Sequence, residues 1–527
     1  MQPIDHYVVA LLSLFAEKPE RVVLWWRDRP ITAAEFSRSI TTAALVLRRE
    51  GIDATSKVTF LTTGNSPEML VVRYAANLLG ATVLHPQSIN AVNALDEVAV
   101  GTQAELLAEC GTSLLVVDAR NVERARAIAA RIGSPLKLAA FSGGEPGLVD
   151  LSTAPPGEAE ASFDVTSAVT GTSAMVTYTS GSTGIPKGAS RPFSAIFSMV
   201  SRSKAALEKH TMLITVPLGQ AAASLVDAAL AGEGSVVLHE GFDATRVLDA
   251  VAKHRVTRLY VATPQLYQLV DHPARATTDT SSIRQLVYTG CTASPRRLAH
   301  AVEAFGPVLI QMYGMTEAWA ISVLPPPDHF QPKLLTTVGR PLPGVQVAIR
   351  DPHTGEDLPR GQTGEVCVCS PYIMDGYWRN PELTARALRA GWLHTGDLGY
   401  LDDEGYLHLV DRLGSMIKTR GIKVYPAAVE NALLTHPAVA HAAVYGVADA
   451  DEVEHVHAAV VPYAGAAVDV NALREHVERA LTAGHAPVAI SILAELPLLE
   501  SGKPDKRRLR FEAEVAAGRQ QPGTPTR

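Results

Sequence analysis

Thr177-Tyr178-Thr179-Ser180-Gly181-Ser182-Thr183-Gly184-Ile185-Pro186-Lys187-Gly188 follows the apolar run Ala174-Met175-Val176, which reads as a strand. A loop this rich in Gly, Ser and Thr offers hydroxyls, unpaired N–H groups and close backbone approach, the features that cradle phosphate oxygens. Lys187 adds a point charge suited to a polyphosphate. The spacing is not that of a Walker A loop: two residues separate Gly184 from Lys187, and Gly188 follows. A P-loop kinase or motor is therefore a poor fit. A flexible Ser/Gly linker is a poor fit too, because linkers do not usually end in Pro-Lys-Gly directly after a buried strand.

On either side of this loop, short apolar strands alternate with helical stretches. Residues 57–61 and 113–117 read as strands, and 67–80 and 122–132 as helices. After the loop, 235–238, 258–261 and 285–288 are strand candidates, with Val247, Leu248 and Val251 marking a helix. Such alternation argues for α/β layers with parallel strands. Residues 141–172, rich in small and polar types, read as a surface connection between lobes. From Val338 to Leu409 strands shorten and glycines thicken, the texture of a β-rich subdomain. After Arg412 a small α+β pattern runs to about residue 515, and the polar end reads as a disordered tail.

Composition narrows the function classes. The chain has 527 residues, long enough for roughly three domains. It is 47% apolar and 19% charged, which suits sizeable cores and not a disordered chain. A net charge of -7 gives no footprint for nucleic acid. Cys110, Cys291, Cys367 and Cys369 are too scattered for a disulfide framework. Cys367 and Cys369 share one strand face, and no second ligand pair nearby suggests a metal. The apolar start lacks a basic leader and is far short of the ~20 residues of a membrane span. A cytoplasmic enzyme is the expectation, with its oligomeric state open.

TYTSGSTGIPKG resembles the phosphate loop of the adenylate-forming superfamily, which includes acyl-CoA synthetases, peptide-synthetase adenylation domains and firefly-type luciferases. Further segments match in order. Gln311-Met312-Tyr313-Gly314-Met315-Thr316-Glu317, after the strand 308–310, is similar to the family's YGxTE segment. Thr289-Gly290-Cys291-Thr292 ends another strand, Gly391–Gly399 resembles GWxxTGD, and Leu496–Lys506 resembles the loop with the adenylation lysine.

The resemblance implies roles. Thr179, Ser180, Gly181, Ser182, Thr183, Gly184 and Lys187 would hold the phosphates of ATP. Gly290, Cys291, Thr292, Gln311, Met312 and Tyr313 would border the adenine, and Asp397 and Arg412 would meet the ribose. Thr316 would reach the α-phosphate, with Glu317 and Thr183 holding Mg²⁺. Lys503 would bridge the attacking carboxylate and the α-phosphate, where charge gathers. Gly219, Gln220, Ser224, Gly314, Met315 and Ala318 would line the acyl pocket.

The small domain opens with a segment similar to KTGGxxVYPxEVE of acyl- and aryl-CoA synthetases, and its Arg420, Gly421 and Lys423 would face the thioester step. Arg420 replaces a usual glycine and could meet a CoA phosphate or face solvent. Gly414 stands at the hinge position, where the family commonly has Asp or Lys; glycine permits the dihedral change a hinge needs. Gly219 and Gln220 stand where many relatives have an aromatic followed by histidine, and this loss of bulk makes room or reshapes the site for a large acid, unless another side chain fills the space.

The fold expected is α/β: a large N-terminal lobe (1–411) of layered α/β subdomains plus a β-rich subdomain, a hinge at 412–414, a small mobile α+β domain (415–515) and a tail (516–527). The expected activity is an AMP-forming acid–thiol ligase using ATP and Mg²⁺, with CoA as acceptor. The alternative acceptor is a carrier-protein phosphopantetheine thiol. A nucleotide-binding scaffold without catalysis is argued against by the retention of Lys503, Glu317 and Asp397.

Overall fold

Local signals set many element ends. Thr32 caps the helix Ala33–Arg49 in a reciprocal box with Glu35. Pro67 occupies the first turn of Pro67–Leu78, where its missing N–H costs nothing. Gly111 and Gly133 end Val100–Cys110 and Val122–Ile132 in the left-handed conformation. The computed structural model describes residues 6–86, 99–133, 136–141, 145–154, 173–179, 187–206, 209–291, 293–419, 422–449, 453–499 and 502–516. Every count below refers to these. The expected connection at 141–172 and the tail fall mostly outside them, as does the phosphate loop at 180–186.

Two large sheets form the first part of the chain. One has eight strands in the order Gly376–Tyr377, Lys187–Pro192, Ser173–Thr179, Thr82–His85, Lys57–Leu61, Leu114–Val117, Lys137–Ala140, Val149–Asp150. The other has nine: Arg340–Pro341, Trp319–Leu324, Leu309–Met315, Gln285–Thr289, Arg258–Ala262, Thr211–Ile214, Ser235–Leu238, Val22–Trp26, Arg29–Thr32. Their central strands are parallel, with antiparallel pairing near the edges. This is the expected α/β layering.

One core joins both sheets. Val58, Phe60 and Val83 come from the first, and Met212, Ile214 and Val236 from the second. Helix Pro67–Leu78 is buried at every residue except Glu68. It carries Arg73, which pairs in the interior with Asp227 of helix Ala223–Ala231, and Tyr74 donates to the same carboxylate at 2.6 Å. Hydrogen bonds from Tyr74 to Asp227 and from Arg73 Nε to Tyr7 meet most of this pair's burial.

A five-stranded antiparallel sheet follows, built from Gln346–Arg350, Gly364–Cys369, Leu388–Arg389, Trp392–Leu401 and Leu407–Arg412. The smaller C-terminal domain has the hairpin Ile417–Thr419 and Ile422–Val424, a three-stranded sheet (Val439–Ala448, Glu454–Pro462, Ala489–Ile492) and flanking helices with their own core. No described helix is long and apolar enough to cross a membrane.

Two segments run further as strands than the local pattern signals. The strand expected at 308–310 continues through Met315, so Tyr313 and Gly314 are strand residues with a bulge between them. His394 and Asp397, in the segment that resembles GWxxTGD, lie in the strand Trp392–Leu401. In both cases pairing with a distant strand, Trp319–Leu324 or Gly364–Cys369, extends what local apolar pattern does not signal.

Candidate active site

Strands Ser173–Thr179 and Lys187–Pro192 pair antiparallel with Thr179 opposite Lys187, so the two ends of the phosphate loop are held together. Lys187 points its ammonium toward the Tyr377 ring, 5.9 Å from the centroid. Tyr377 in turn donates its hydroxyl to Glu317 Oε1 at 2.8 Å, and Glu317 is buried. The cation at the loop's end and the carboxylate of the YGMTE segment thus face one aromatic ring. Burial and the Glu317 charge raise the Tyr377 phenol far above its ordinary range, so it stays a donor.

Gly314 is dictated by close approach: a Cβ there would lie 1.9 Å from the Trp319 carbonyl oxygen. The turn that follows puts Thr316 and Glu317 at the strand's end. The Thr316 carbonyl is fixed by Arg191, which donates at 2.9 Å and also reaches the Tyr372 carbonyl at 3.3 Å.

A second constellation centres on Asp397. Tyr313 donates to its Oδ2 at 2.6 Å and Arg412 Nε to its Oδ1 at 2.9 Å. Burial, then the Asp397 charge, raises the Tyr313 phenol well above normal, while Asp397 raises Arg412. The strand is braced behind the site: Glu365 accepts from Gly396 N–H at 3.2 Å and from His394 Nδ1 at 2.7 Å, and Thr395 donates to the Val366 carbonyl at 2.7 Å. Donor atoms of Glu365, Cys367 and His394 all fall within 4.8 Å of one another. The sequence reading saw no partners for Cys367; folding supplies them, with contacts that hydrogen bonding already accounts for.

Lys503 is brought to the same place from the small domain. Its Cε lies 3.4 Å from where a Cβ on Gly290 would stand. Burial lowers its ammonium pKa, Arg412 lowers it further, and Cys291, Asp397 and Glu317 oppose the shift. Cys291 is itself a neutral thiol, pushed up to about 11 by burial. Thr289 donates to the Met312 carbonyl at 2.7 Å, and Thr263 spans the carbonyls of Thr289 and Cys291 at 3.2 and 3.3 Å. Strand ends Gln285–Thr289 and Leu309–Met315 are thereby locked side by side, with Gln311 buried between them.

Around the expected acyl side, Leu218–Ala222 forms a π-helix that runs into helix Ala223–Ala231, and Ser224 is buried. The room expected from Gly219 is not open on its Cβ side: a Cβ there would meet His85, 3.2 Å from its Cβ and 3.3 Å from Nδ1. Loss of bulk at one position is matched by an imidazole from another strand. Ala318 is fully buried in the core of the β-rich sheet, and Met315 packs against that core.

Gly414 sits in a turn closed by Ser415 N–H on the Arg412 carbonyl at 3.2 Å, without left-handed backbone. Ser180–Gly184, Thr292, Arg420 and Gly421 lie outside the described residues, as do the side chains of Thr179, Gln220 and Lys423.

Sequence reasoning missed Arg191, Glu365, Tyr377 and His85. Glu365 had a signal, a carboxylate inside an apolar strand; His85 had a weaker one, an imidazole closing a buried strand before a proline.

Residues 14–378 match the model of the AMP-binding enzyme family and residues 428–503 that of the AMP-binding enzyme C-terminal domain. The chain belongs to this family. Among its relatives, medium/long-chain-fatty-acid–CoA ligase FadD8 of Mycobacterium tuberculosis is 32% identical over 98% of this chain and 90% of its own. Feruloyl-CoA synthase of an Amycolatopsis species is 34% identical over 90% of this chain and 92% of its own. Of solved structures, amide bond synthetase McbA from Marinactinospora thermotolerans superposes with a TM-score of 0.83 at 35% identity, covering 96% of this chain and 99% of that one. o-Succinylbenzoate CoA synthetase from Bacillus subtilis, in complex with its acyl-adenylate, gives 0.77 at 27% identity over 95% and 97%. Within the adenylate-forming superfamily this chain falls in the CoA ligase branch.

Proposed function

We propose that the protein is an AMP-forming acid–CoA ligase whose adenylation centre is built from Lys187, Tyr313, Thr316, Glu317, Asp397, Arg412 and Lys503, with the loop 179–184. The observation that carries this is Lys503, a buried ammonium from the small domain lying over Gly290 within electrostatic reach of Arg412, Asp397 and Glu317.

In the first half-reaction a carboxylate oxygen attacks the α-phosphorus of ATP, the bond to the β-phosphate bridging oxygen breaks, and pyrophosphate leaves. Lys503 offsets the repulsion between the two anions and the charge that gathers at phosphorus. Asp397 would exchange the Tyr313 and Arg412 donors for ribose hydroxyls or share them, since a carboxylate accepts several bonds. The Glu317 carboxylate, with one oxygen on Tyr377 and Lys187 near the same ring, suits a hard cation beside phosphates. Mg²⁺ held there would supply charge neutralisation of the polyphosphate.

In the second half-reaction the CoA sulfur attacks the acyl carbonyl, AMP leaves and the thiol proton is released. Arg420, Gly421 and Lys423 would face the thiol after the small domain turns about 412–414. The division into a lobe at 1–411 and a domain at 415–515 is supported by their separate cores. Relatives matched over nine-tenths of the chain are CoA ligases, which favours CoA over a carrier protein. Reliance on ATP and CoA fits a cytoplasmic reaction.

One observation favours a second acceptor. The amide bond synthetase matches nearly the whole chain at 35% identity, which supports an amine attacking the same adenylate. Mass spectrometry of products from an acid library with ATP and Mg²⁺, supplied with CoA in one arm and amines in the other, tests both. Thioester with CoA is expected; amide alone would replace the CoA reading, and no pyrophosphate release with any acid would overturn acid activation.

A further inference from the structure

His85 ends the strand Thr82–His85 and is 5% exposed, yet neither ring nitrogen has a hydrogen-bond partner among the described residues. One face of its ring stacks on Phe60, with centroids 5.3 Å apart and planes 8° from parallel. Its Nδ1 edge lies against Gly219, in the π-helix Leu218–Ala222. Burial, together with the nearby Arg73 charge, holds the imidazole neutral, down to about 3. Arg73 Nη1 also lacks a partner among the described residues.

An unpaired buried polar group costs stability, and each one in a native structure asks for an explanation. Here it is kept beside a single-turn π-helix, a distortion that recurs at functional sites. A neutral imidazole brings one donor and one acceptor, and Gly219 leaves space for no other side chain between them.

We propose that His85 is a specificity-determining residue of the acyl site, which hydrogen-bonds a hydroxyl, carbonyl or ring-nitrogen group on the acid. The assignment rests on the acid-activating function above and on the acyl pocket lying at Gly219. Gly219 acts as its companion, because any larger residue there would displace the ring. The preferred acid therefore carries a neutral polar group away from its carboxylate and is not a plain hydrocarbon acid.

ATP–pyrophosphate exchange on matched acid pairs tests this in the full-length enzyme: 4-hydroxycinnamate against cinnamate, indole-3-acetate against 1-naphthylacetate, and hydroxydodecanoate against dodecanoate. Wild type should favour the polar member of at least one pair by about 10-fold or more in kcat/KM, the scale of leaving one buried hydrogen-bonding group without its partner. His85→Leu should abolish that ratio while keeping exchange with the apolar member. Gly219→Ala, which crowds the ring, should lower the ratio in the same direction. His85→Leu should also melt no lower than wild type, because it removes an unpaired polar group. An unchanged ratio with exchange intact, or a His85→Leu protein that melts lower or fails to fold, overturns the proposal. Absence of exchange with every acid in wild type overturns acid activation itself, and this assignment with it.

Discussion

The proposed nucleotide side and the proposed acyl side of the site bury polar groups in opposite ways. Around Asp397 and Glu317 the groups are paired with one another: Tyr313 and Arg412 on one carboxylate, Tyr377 on the other. Beside Gly219, His85 is left with both nitrogens unpaired among the described residues. Paired donors and acceptors hold their geometry before ligand arrives and can trade partners when it does, which is preorganisation. An unpaired group pays desolvation in the free protein and recovers it only when a matching substrate enters, which is selectivity. On the assignments proposed above, the half of the site serving every turnover is self-supporting, whereas the half that chooses the acid is left incomplete.

The comparison breaks most sharply at Lys503. Lys503→Ala should cost at least ~10²-fold in pyrophosphate exchange, the scale of losing one charge-stabilising donor. Thioester formation from a supplied acyl-adenylate should fall much less; equal loss in both half-reactions would remove Lys503 from its assigned role. Asp397→Ala strands Tyr313 and Arg412, and KM for ATP should rise about 10- to 100-fold on the scale of a charged hydrogen-bond partner lost. Ratios between acids should stay as in wild type. If they change, the two sides are not separable.

Tyr313→Phe removes one donor to Asp397 and should raise KM for ATP by ~10-fold or less. Burial depresses the Lys503 pKa, and the ammonium is the working form. Adenylation should therefore fall as pH rises through that depressed value, starting below the ordinary lysine range. Lys503→Arg, which keeps its charge, should retain whatever activity it has to higher pH; an alkaline limb that coincides in both enzymes would contradict this. Smallest is Cys291→Ala, whose thiol is neutral at physiological pH: kcat should stay within about threefold, and a collapse would mark the thiol as a reacting group.

Much of the frame was legible. The strand at 57–61, the helix at 122–132 and the strand at 235–238 begin and end where their apolar patterns do. The YGMTE and TGD segments announced Tyr313, Glu317 and Asp397 as site residues, and folding puts Tyr313 against Asp397 and Glu317 against Tyr377. Tyr377 gave no sign of itself in Asp375-Gly376-Tyr377-Trp378, because its importance lies in one hydroxyl reaching a carboxylate on another sheet. The same holds for Arg191, which acts by holding the Thr316 carbonyl.

By itself, the sequence determined the α/β layering and the family, and it singled out the segment 177–188 and Lys503 as the proposed phosphate loop and adenylation lysine. Apolar periodicity and glycine-rich turns act through neighbouring residues, and binding a shared nucleotide requires the same groups at the same spacing. Only the tertiary structure decided that the space vacated at Gly219 belongs to His85. That contact joins a strand of one sheet to a π-helix that follows a strand of the other, and a side chain's partner across a core depends on packing that no local pattern encodes.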